Sequence, residues 1–392
     1  MKIFIAASWL KLGGGVTRTL LELFKHIDYS KHDVTLMLME LDESVLHLVP
    51  KPVKVISSND SFQTAGSGAI LKDTLKKGKI LTAASYMCNM IDWRLFGNNY
   101  RHQQWITKHM VKHDEEYDVA IAYAMMNSIV NKYVIDNVKA KKKILWCHTD
   151  MKLYKAQYIK GLEKLYPQFD RINCVSASSR DSLIEAFPQL AGKAHIVYNY
   201  IDYEKIRREA EAPVDVSCDE SILKLCTVCR ISQEKGTDLL VECARMLKEK
   251  GFNFVWWVVG SEFDKSFSEK IKEKISEYQL EQQVLLLGEK NPPYPFMRAC
   301  DIYVQPSRIE GYCTTTNEAR ILFKPVVTTC VSGSDEQFKN GINGSITEIS
   351  ADAVFNAVCE LAENKEKCKI YSDNLRESLS KIQENSFESM IL

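Results

Sequence analysis

The sequence predicts an α/β protein built as two Rossmann-like halves. Three observations predict it. Short apolar runs rich in β-branched residues alternate with longer segments of helical period, the mark of βαβ units around a parallel sheet. That alternation runs twice, with a pause between the two courses. At 392 residues, 45% hydrophobic and 26% charged, the chain is long enough for two separate cores.

In the first half the spacing predicts strands over Lys2–Ser8, Asp33–Met39, Pro52–Ile56, Tyr117–Tyr123, Lys142–Cys147, Arg171–Ser176 and Ala194–Tyr198. In the second it predicts Ile222–Val228, Asn253–Val259, Gln283–Leu287, Cys300–Gln305 and Lys324–Thr329. Between them lies Asn199-Tyr200-Ile201-Asp202 and a charged, proline-containing stretch through Cys218. The boundary therefore falls near residue 200, giving domains 1–200 and 201–392, with the last residues free to pack back on the N-terminal domain. Helical period is clearest over Gly15–Ile27, Ser179–Phe187, Thr237–Glu249 and Asp264–Tyr278. In Thr237–Glu249 the apolar residues Leu239, Leu240, Cys243, Ala244 and Leu247 share one face, and Thr237 is the expected N-cap. No low-complexity tract and no repeat of 20–50 residues interrupts this pattern.

Composition narrows the function. The longest apolar runs, Phe254–Gly260 and Val284–Leu287, fall well short of the roughly 20 residues a spanning helix needs, so a soluble chain is expected. The opening Met1–Ser8 passes into a glycine loop without a long apolar core or cleavage site, which argues against a signal peptide and for residence in the cytoplasm. The 12 cysteines, mostly inside apolar runs, read as buried thiols; Cys226 and Cys229 form a lone C-x-x-C with no second pair. Net charge is zero but unevenly spread, with 27 Lys+Arg against 19 Asp+Glu in residues 1–200 and 24 against 32 in the remainder. Basic clusters at Lys72, Lys76, Lys77 and Lys79 and at Lys139, Lys141, Lys142 and Lys143 suit anionic headgroups or a phosphate-bearing acceptor, or equally a solvated basic face. No aromatic-interleaved basic stripe argues for nucleic acid.

In an open α/β sheet, ligands sit beyond the carboxyl ends of the strands. Three segments lie there. Gly13-Gly14-Gly15 follows the first strand and opens a helix whose N-terminus favours phosphate, although a tight turn would look the same. Arg230, Lys235 and Gly236 lie on the loop between Val228 and the helix at Thr237; Arg binds phosphate oxygens bidentately and Lys neutralises a leaving group, though surface cations are as common there. The third is the most specific: Ser307-Arg308-Ile309-Glu310-Gly311-Tyr312-Cys313-Thr314-Thr315-Thr316-Asn317-Glu318. Its two carboxylates are eight residues apart, on either side of a loop that leads into a helix. The N–H groups of Cys313 through Thr315 would face an anion, and a carboxylate accepts the bonds of a ribose's hydroxyls.

The order of Gly13-Gly14-Gly15, Arg230 with Lys235-Gly236, Gly260, and the E-x7-E of Glu310 and Glu318 resembles the retaining GT-B glycosyltransferases of the large family four. The likeness spans nearly the whole chain and is strongest from Asn199 to Gly344. It implies two Rossmann-like domains facing each other across a cleft, the first for acceptor and the second for nucleotide sugar. It also implies roles. Arg230 and Lys235 hold the donor diphosphate, Glu310 the sugar hydroxyls, Glu318 the ribose, and His148 lies near the reacting sugar. Gly14, Gly15, Gly260, Gly311, Tyr312, Cys313, Thr314 and Thr315 complete the donor site, with Lys290 and Asn291 on the loop that touches the base. Two positions depart from the pattern: Cys313 stands where glycine is usual, and Phe323 where a small residue is usual.

The chain contains no Asp-x-Asp. Leaving-group charge is then expected to fall to Arg230, Lys235 and helix N-termini, without metal or cofactor. The expectation is retaining transfer of a hexose or N-acetylhexosamine, from a UDP-sugar in preference to a GDP- or ADP-sugar. The acceptor would be a glycan or lipid-linked glycan in surface polysaccharide or glycolipid assembly, with peripheral contact at the inner membrane face left open. A nucleotide-sugar epimerase or phosphorylase of the same fold, or a non-catalytic GT-B scaffold subunit, are the alternatives.

Overall fold

A computed structural model of the chain describes residues 1–10, 15–57, 67–97, 99–153, 159–214, 216, 221–379 and 386–392. Gly13 and Gly14 lie outside the described residues. The chain divides into two compact units, Met1–Tyr200 with Asn385–Leu392, and Ile201–Glu384.

The first unit is built on a seven-stranded sheet, ordered β3-β2-β1-β4-β5-β6-β7. The strands are β1 (Lys2–Ala7), β2 (Asp33–Leu38), β3 (Lys54–Ser57), β4 (His113–Tyr123), β5 (Val138–Cys147), β6 (Arg171–Cys174) and β7 (Ala194–Ile196), and every pairing is parallel. In β1 and β2 every residue after the first is buried, because helices cover both faces of a parallel sheet and leave no polar side to alternate with. Helices Ser67–Lys76, Ile80–Phe96 and Asn99–Lys108 are inserted between β3 and β4. The final helix, Phe387–Ile391, belongs to this unit. Asn173 Nδ2 donates to the Met390 carbonyl at 3.0 Å, His32 Nε2 lies 3.3 Å from a Glu388 oxygen, and the Lys142 ammonium donates to the Leu392 carbonyl.

The second unit has a six-stranded parallel sheet, ordered β10-β9-β8-β11-β12-β13. Its strands are β8 (Leu223–Val228), β9 (Phe254–Val259), β10 (Val284–Leu286), β11 (Ile302–Gln305), β12 (Val326–Thr329) and β13 (Ser345–Thr347). The successive side chains Trp256 and Trp257 on β9 are both fully buried, one in the core on each face of the sheet. Strand order reverses between β8 and β11, which makes that pair the topological switch point. The helix Thr237–Glu249 starts differently from expectation. Its N-cap is Gly236, at φ 67, and the Thr237 hydroxyl donates back to the Ser232 carbonyl at 3.3 Å. Asp264 does cap the next helix, accepting from the Phe267 N–H. Among the described residues, no helix is long and apolar enough to cross a membrane. All eleven described cysteines are free and eight of them are buried.

Candidate functional site

The loops that leave β8 and β11 meet at the switch point and are locked together. Arg308 donates from both terminal guanidinium nitrogens to Asp238, at 2.6 and 2.7 Å, and its backbone N–H donates to the Glu234 carbonyl at 2.8 Å. Gly236 closes the turn Gln233–Lys235 in the left-handed region, and a Cβ there would fall 1.8 Å from the Pro306 carbonyl oxygen. Only glycine permits both that φ and that approach. Gly260, at the end of β9, is under the same constraint, since a Cβ would lie 1.8 Å from the Cys229 carbonyl oxygen.

This lock presents Lys235 to Glu310. The ammonium lies 2.8 Å from each carboxylate oxygen, although the two residues are 75 positions apart in sequence. Their side chains are only 20% and 8% exposed. Burial works against the Lys235 charge, but the Glu310 carboxylate outweighs it and the pKa is raised above the usual lysine value. Glu310 is itself held from behind. Ser307 Oγ donates to Oε1 at 2.7 Å, Gln305 Nε2 donates to Ser307 Oγ at 2.9 Å, and the hydroxyls of Tyr303 and Thr315 both donate to Gln305 Oε1, at 2.8 and 3.2 Å. Sequence reasoning gave Ser307, Gln305 and Tyr303 no role. The Ser-x-x-Glu spacing of Ser307 and Glu310 was the available signal, since it is the spacing at which a short hydroxyl reaches a carboxylate locally.

Just beyond stands the helix Thr314–Ile321, whose N-cap residue Cys313 makes no side-chain capping bond, and the positive end of such a helix favours an anion. The Cys313 carbonyl is fixed by Thr316 Oγ1 at 3.0 Å and Gln337 Nε2 at 2.9 Å. Its thiol is buried, 3.4 Å from Thr315 Oγ1, and burial pushes its pKa up to about 11. Glu318, on the second turn, is buried and receives the Tyr294 hydroxyl at 3.4 Å. Tyr312 follows Gly311 and packs against Gly333, whose added Cβ would sit 2.9 Å from its ring; burial raises the phenol to about 12.

Lys235, Glu310, Cys313 and Thr315 thus form one connected cluster, with Thr314 and Glu318 on the adjoining helix. Arg230 points along a second branch. Its guanidinium lies 4.2 Å from the centroid of the exposed Phe263 ring and 3.9 Å from Glu234. Lys290 lies on the loop after β10, with its ammonium 5.7 Å from the Phe296 ring. His148 and Gly15 belong to the first unit. His148 follows β5, edge-on to Tyr123 at 4.5 Å, and its Nε2 is buried without a hydrogen-bond partner among the described residues. Burial lowers its pKa to about 3, so the imidazole is neutral at physiological pH. Gly15 is the exposed first residue of the helix Gly15–Lys25, with open space where a Cβ would stand.

Residues 215–378 match the family model described as glycosyl transferases group 1. By sequence, the chain is 28% identical over 214 residues to N-acetylgalactosamine-N,N'-diacetylbacillosaminyl-diphospho-undecaprenol 4-alpha-N-acetylgalactosaminyltransferase of Campylobacter jejuni, covering 54% of this chain and 56% of that protein. It is 31% identical over 171 residues to the capsular polysaccharide biosynthesis glycosyltransferase CapM of Staphylococcus aureus, covering 42% of each. The chain thus spans about half the length of the relatives it matches. By structure, it superposes on Anabaena HepE, crystallised with UDP and glucose, with a TM-score of 0.69 over 98% of this chain and 96% of that one at 18% identity. Over residues 215–378 the chain is therefore similar to the family described as glycosyl transferases group 1, and its two parallel-sheet units have the GT-B fold.

Proposed function

We propose that the chain is a retaining, metal-independent glycosyltransferase that moves a hexose or N-acetylhexosamine from a nucleotide-diphosphate sugar, a UDP-sugar by preference, to a glycan or lipid-linked acceptor. The observation that carries the reading is the buried Lys235–Glu310 pair beside a helix N-terminus that the side chain of its N-cap residue, Cys313, leaves uncapped. An ammonium and open N–H groups stabilise the diphosphate on which negative charge grows as the sugar leaves. Glu310 accepts from the sugar hydroxyls, and Glu318 from the ribose. In the reaction the bond from the anomeric carbon to the diphosphate breaks, an acceptor oxygen bonds to that carbon, and the acceptor's proton passes to a donor phosphate oxygen. His148, in the first unit, is a neutral imidazole at working pH. The Campylobacter relative is named for a diphospho-undecaprenol-linked acceptor and the Staphylococcus relative for capsular polysaccharide biosynthesis, which supports a lipid-linked glycan acceptor in polysaccharide or glycolipid assembly.

The test is to incubate the chain with UDP-, GDP- and ADP-sugars and a polyprenyl-diphosphate-linked acceptor, and to determine the product by NMR. Transfer with the donor's anomeric configuration, undiminished in EDTA, is expected. An inverted product, or activity that EDTA abolishes, would overturn retention or metal independence respectively.

A further inference from the structure

We propose that the helix Ile80–Phe96 is an interfacial docking element that seats the first unit on an anionic lipid surface. Its two faces are both apolar, which a helix on a water-facing surface has no reason to be. The inner face places Ala83, Tyr86 and Met90 among buried residues, with Leu71 and Trp105 packed against the latter two. The outer face is the unusual one. Ile80, Ala84, Met87, Cys88, Ile91 and Leu95 follow one another at helical spacing and are all exposed, with Leu81 along the edge. The five large side chains Ile80, Leu81, Met87, Ile91 and Leu95 are between 51% and 87% exposed. They form a stripe on the order of 20 Å long at 1.5 Å rise per residue. Single exposed apolar residues need no explanation, but a continuous row of them does.

Charge identifies what covers the stripe. Lys72, Lys76, Lys77 and Lys79, all exposed, lead directly into the helix, and Arg94 lies near its far end. The stripe carries one acid, Asp92. A second copy of this chain would bring the same lysines to face these, whereas an anionic lipid surface complements the lysines while its acyl boundary receives the apolar row. The other basic cluster of the sequence is differently placed. Lys139 and Lys141 pair with Asp114 and Asp118, and Lys142 and Lys143 donate to the carbonyls of Leu392 and Ile135. At 17 residues the helix is too short and too sparsely apolar to cross a bilayer, so it lies in the interface plane.

The inference deepens the reading of a lipid-linked acceptor and rests on it only for its purpose, because lipid binding and sugar chemistry are measured separately. The full chain is floated with vesicles of phosphatidylcholine alone and of phosphatidylcholine containing about one third phosphatidylglycerol, an anionic lipid. At least tenfold stronger binding to the anionic vesicles is expected. Leu81→Gln with Ile91→Gln should weaken it more than tenfold without changing thermal unfolding, because both side chains are exposed. Replacing the four lysines by glutamine should do the same, at roughly fivefold per lysine. Equal binding to both vesicles, or binding unchanged by the substitutions, overturns the proposal. So does a wild-type dimer in sedimentation that Leu81→Gln with Ile91→Gln dissociates, since the stripe would then be covered by a second copy. Slow hydrolysis of a UDP-sugar by the unsubstituted chain in lipid-free solution reads the other claim: hydrolysis by a chain that binds neither vesicle sinks the docking surface alone, and anionic-vesicle binding without hydrolysis sinks the proposed activity alone.

Discussion

Glu310→Gln keeps the size and shape of the side chain but removes the charge on which the Lys235 ammonium rests. Both contacts are 2.8 Å, and neither side chain is more than 20% exposed, so solvent replaces little of what is lost. Breaking one side of such a buried pair costs about 3 kcal/mol, the low end of the range because Lys235 keeps some access to water. The pH dependence has a definite sign. In the native protein Lys235 has a raised pKa, so its contribution is complete below the unfolded value of 10.5 and is lost only as pH climbs past the folded value. In the variant the Glu310 charge no longer offsets burial, the folded pKa falls from its native value, and the deficit should narrow as pH rises towards 10. The two units need not unfold together, so the readout is hydrogen exchange of the β8 and β11 amides across a urea series. Lys235→Ala and the double variant complete a cycle, with an expected coupling of about 2 kcal/mol. Added UDP should shrink the Glu310→Gln deficit, since its diphosphate supplies the missing negative charge. Additivity within about 0.5 kcal/mol would show that Lys235 and Glu310 do not stabilise each other.

Three further outcomes follow from the same geometry. Gly236→Ala places a methyl 1.8 Å from the Pro306 carbonyl oxygen at positive φ, so the two loops must part; a loss of more than about 2 kcal/mol in the same exchange assay, together with weakened UDP affinity, is expected. Ser307→Ala strips Glu310 of a 2.7 Å bond and leaves Gln305 Nε2 without its acceptor, costing about 1–3 kcal/mol by urea denaturation. His148 stays neutral in the fold down to about pH 3 while the unfolded chain protonates near pH 6.5, so the native protein loses stability as pH falls through that window, by at most about 1.4 kcal/mol per unit. His148→Gln should flatten that part of the urea-midpoint profile of β5, and an unchanged slope would show that the imidazole titrates normally.

Twelve of the thirteen strands were legible because β-branched runs bounded by turn residues are a local signal. β1, β2, β8 and β9 differ from their expected limits by one residue, whereas β4 and β5 begin at His113 and Val138, ahead of the expected Tyr117 and Lys142, because their first residues are mostly polar. β13 was not, since Ser345-Ile346-Thr347 is three residues long and only one of them is apolar. The helix Thr237–Glu249 was readable end to end, yet its cap was misassigned. Threonine is a good N-cap in general, but the close approach of Gly236 to Pro306, seventy residues later, decides the turn. The same limit applies to the site. The residue types at Lys235, Glu310 and Glu318 could be singled out, but the ion pair between Lys235 and Glu310, and the Tyr303–Gln305–Ser307 chain behind it, depend on two loops meeting at a strand crossover. The helix Ile80–Phe96 was not among the expected helices because its outward face is apolar, which blurs the helical period that marks a surface helix.

Lys235, Glu310, Glu318 and the start of the Thr314–Ile321 helix are expected to hold one nucleoside diphosphate sugar between them. A crystal structure of the chain with UDP-sugar, or with whichever of the UDP-, GDP- and ADP-sugars raises the melting temperature most, measures it directly. The prediction is diphosphate oxygens within about 3 Å of Lys235 Nζ and of the Thr314 and Thr315 N–H groups, with the ribose hydroxyls on Glu318. A diphosphate bound elsewhere, with Lys235 and Glu310 still facing only each other, would contradict it.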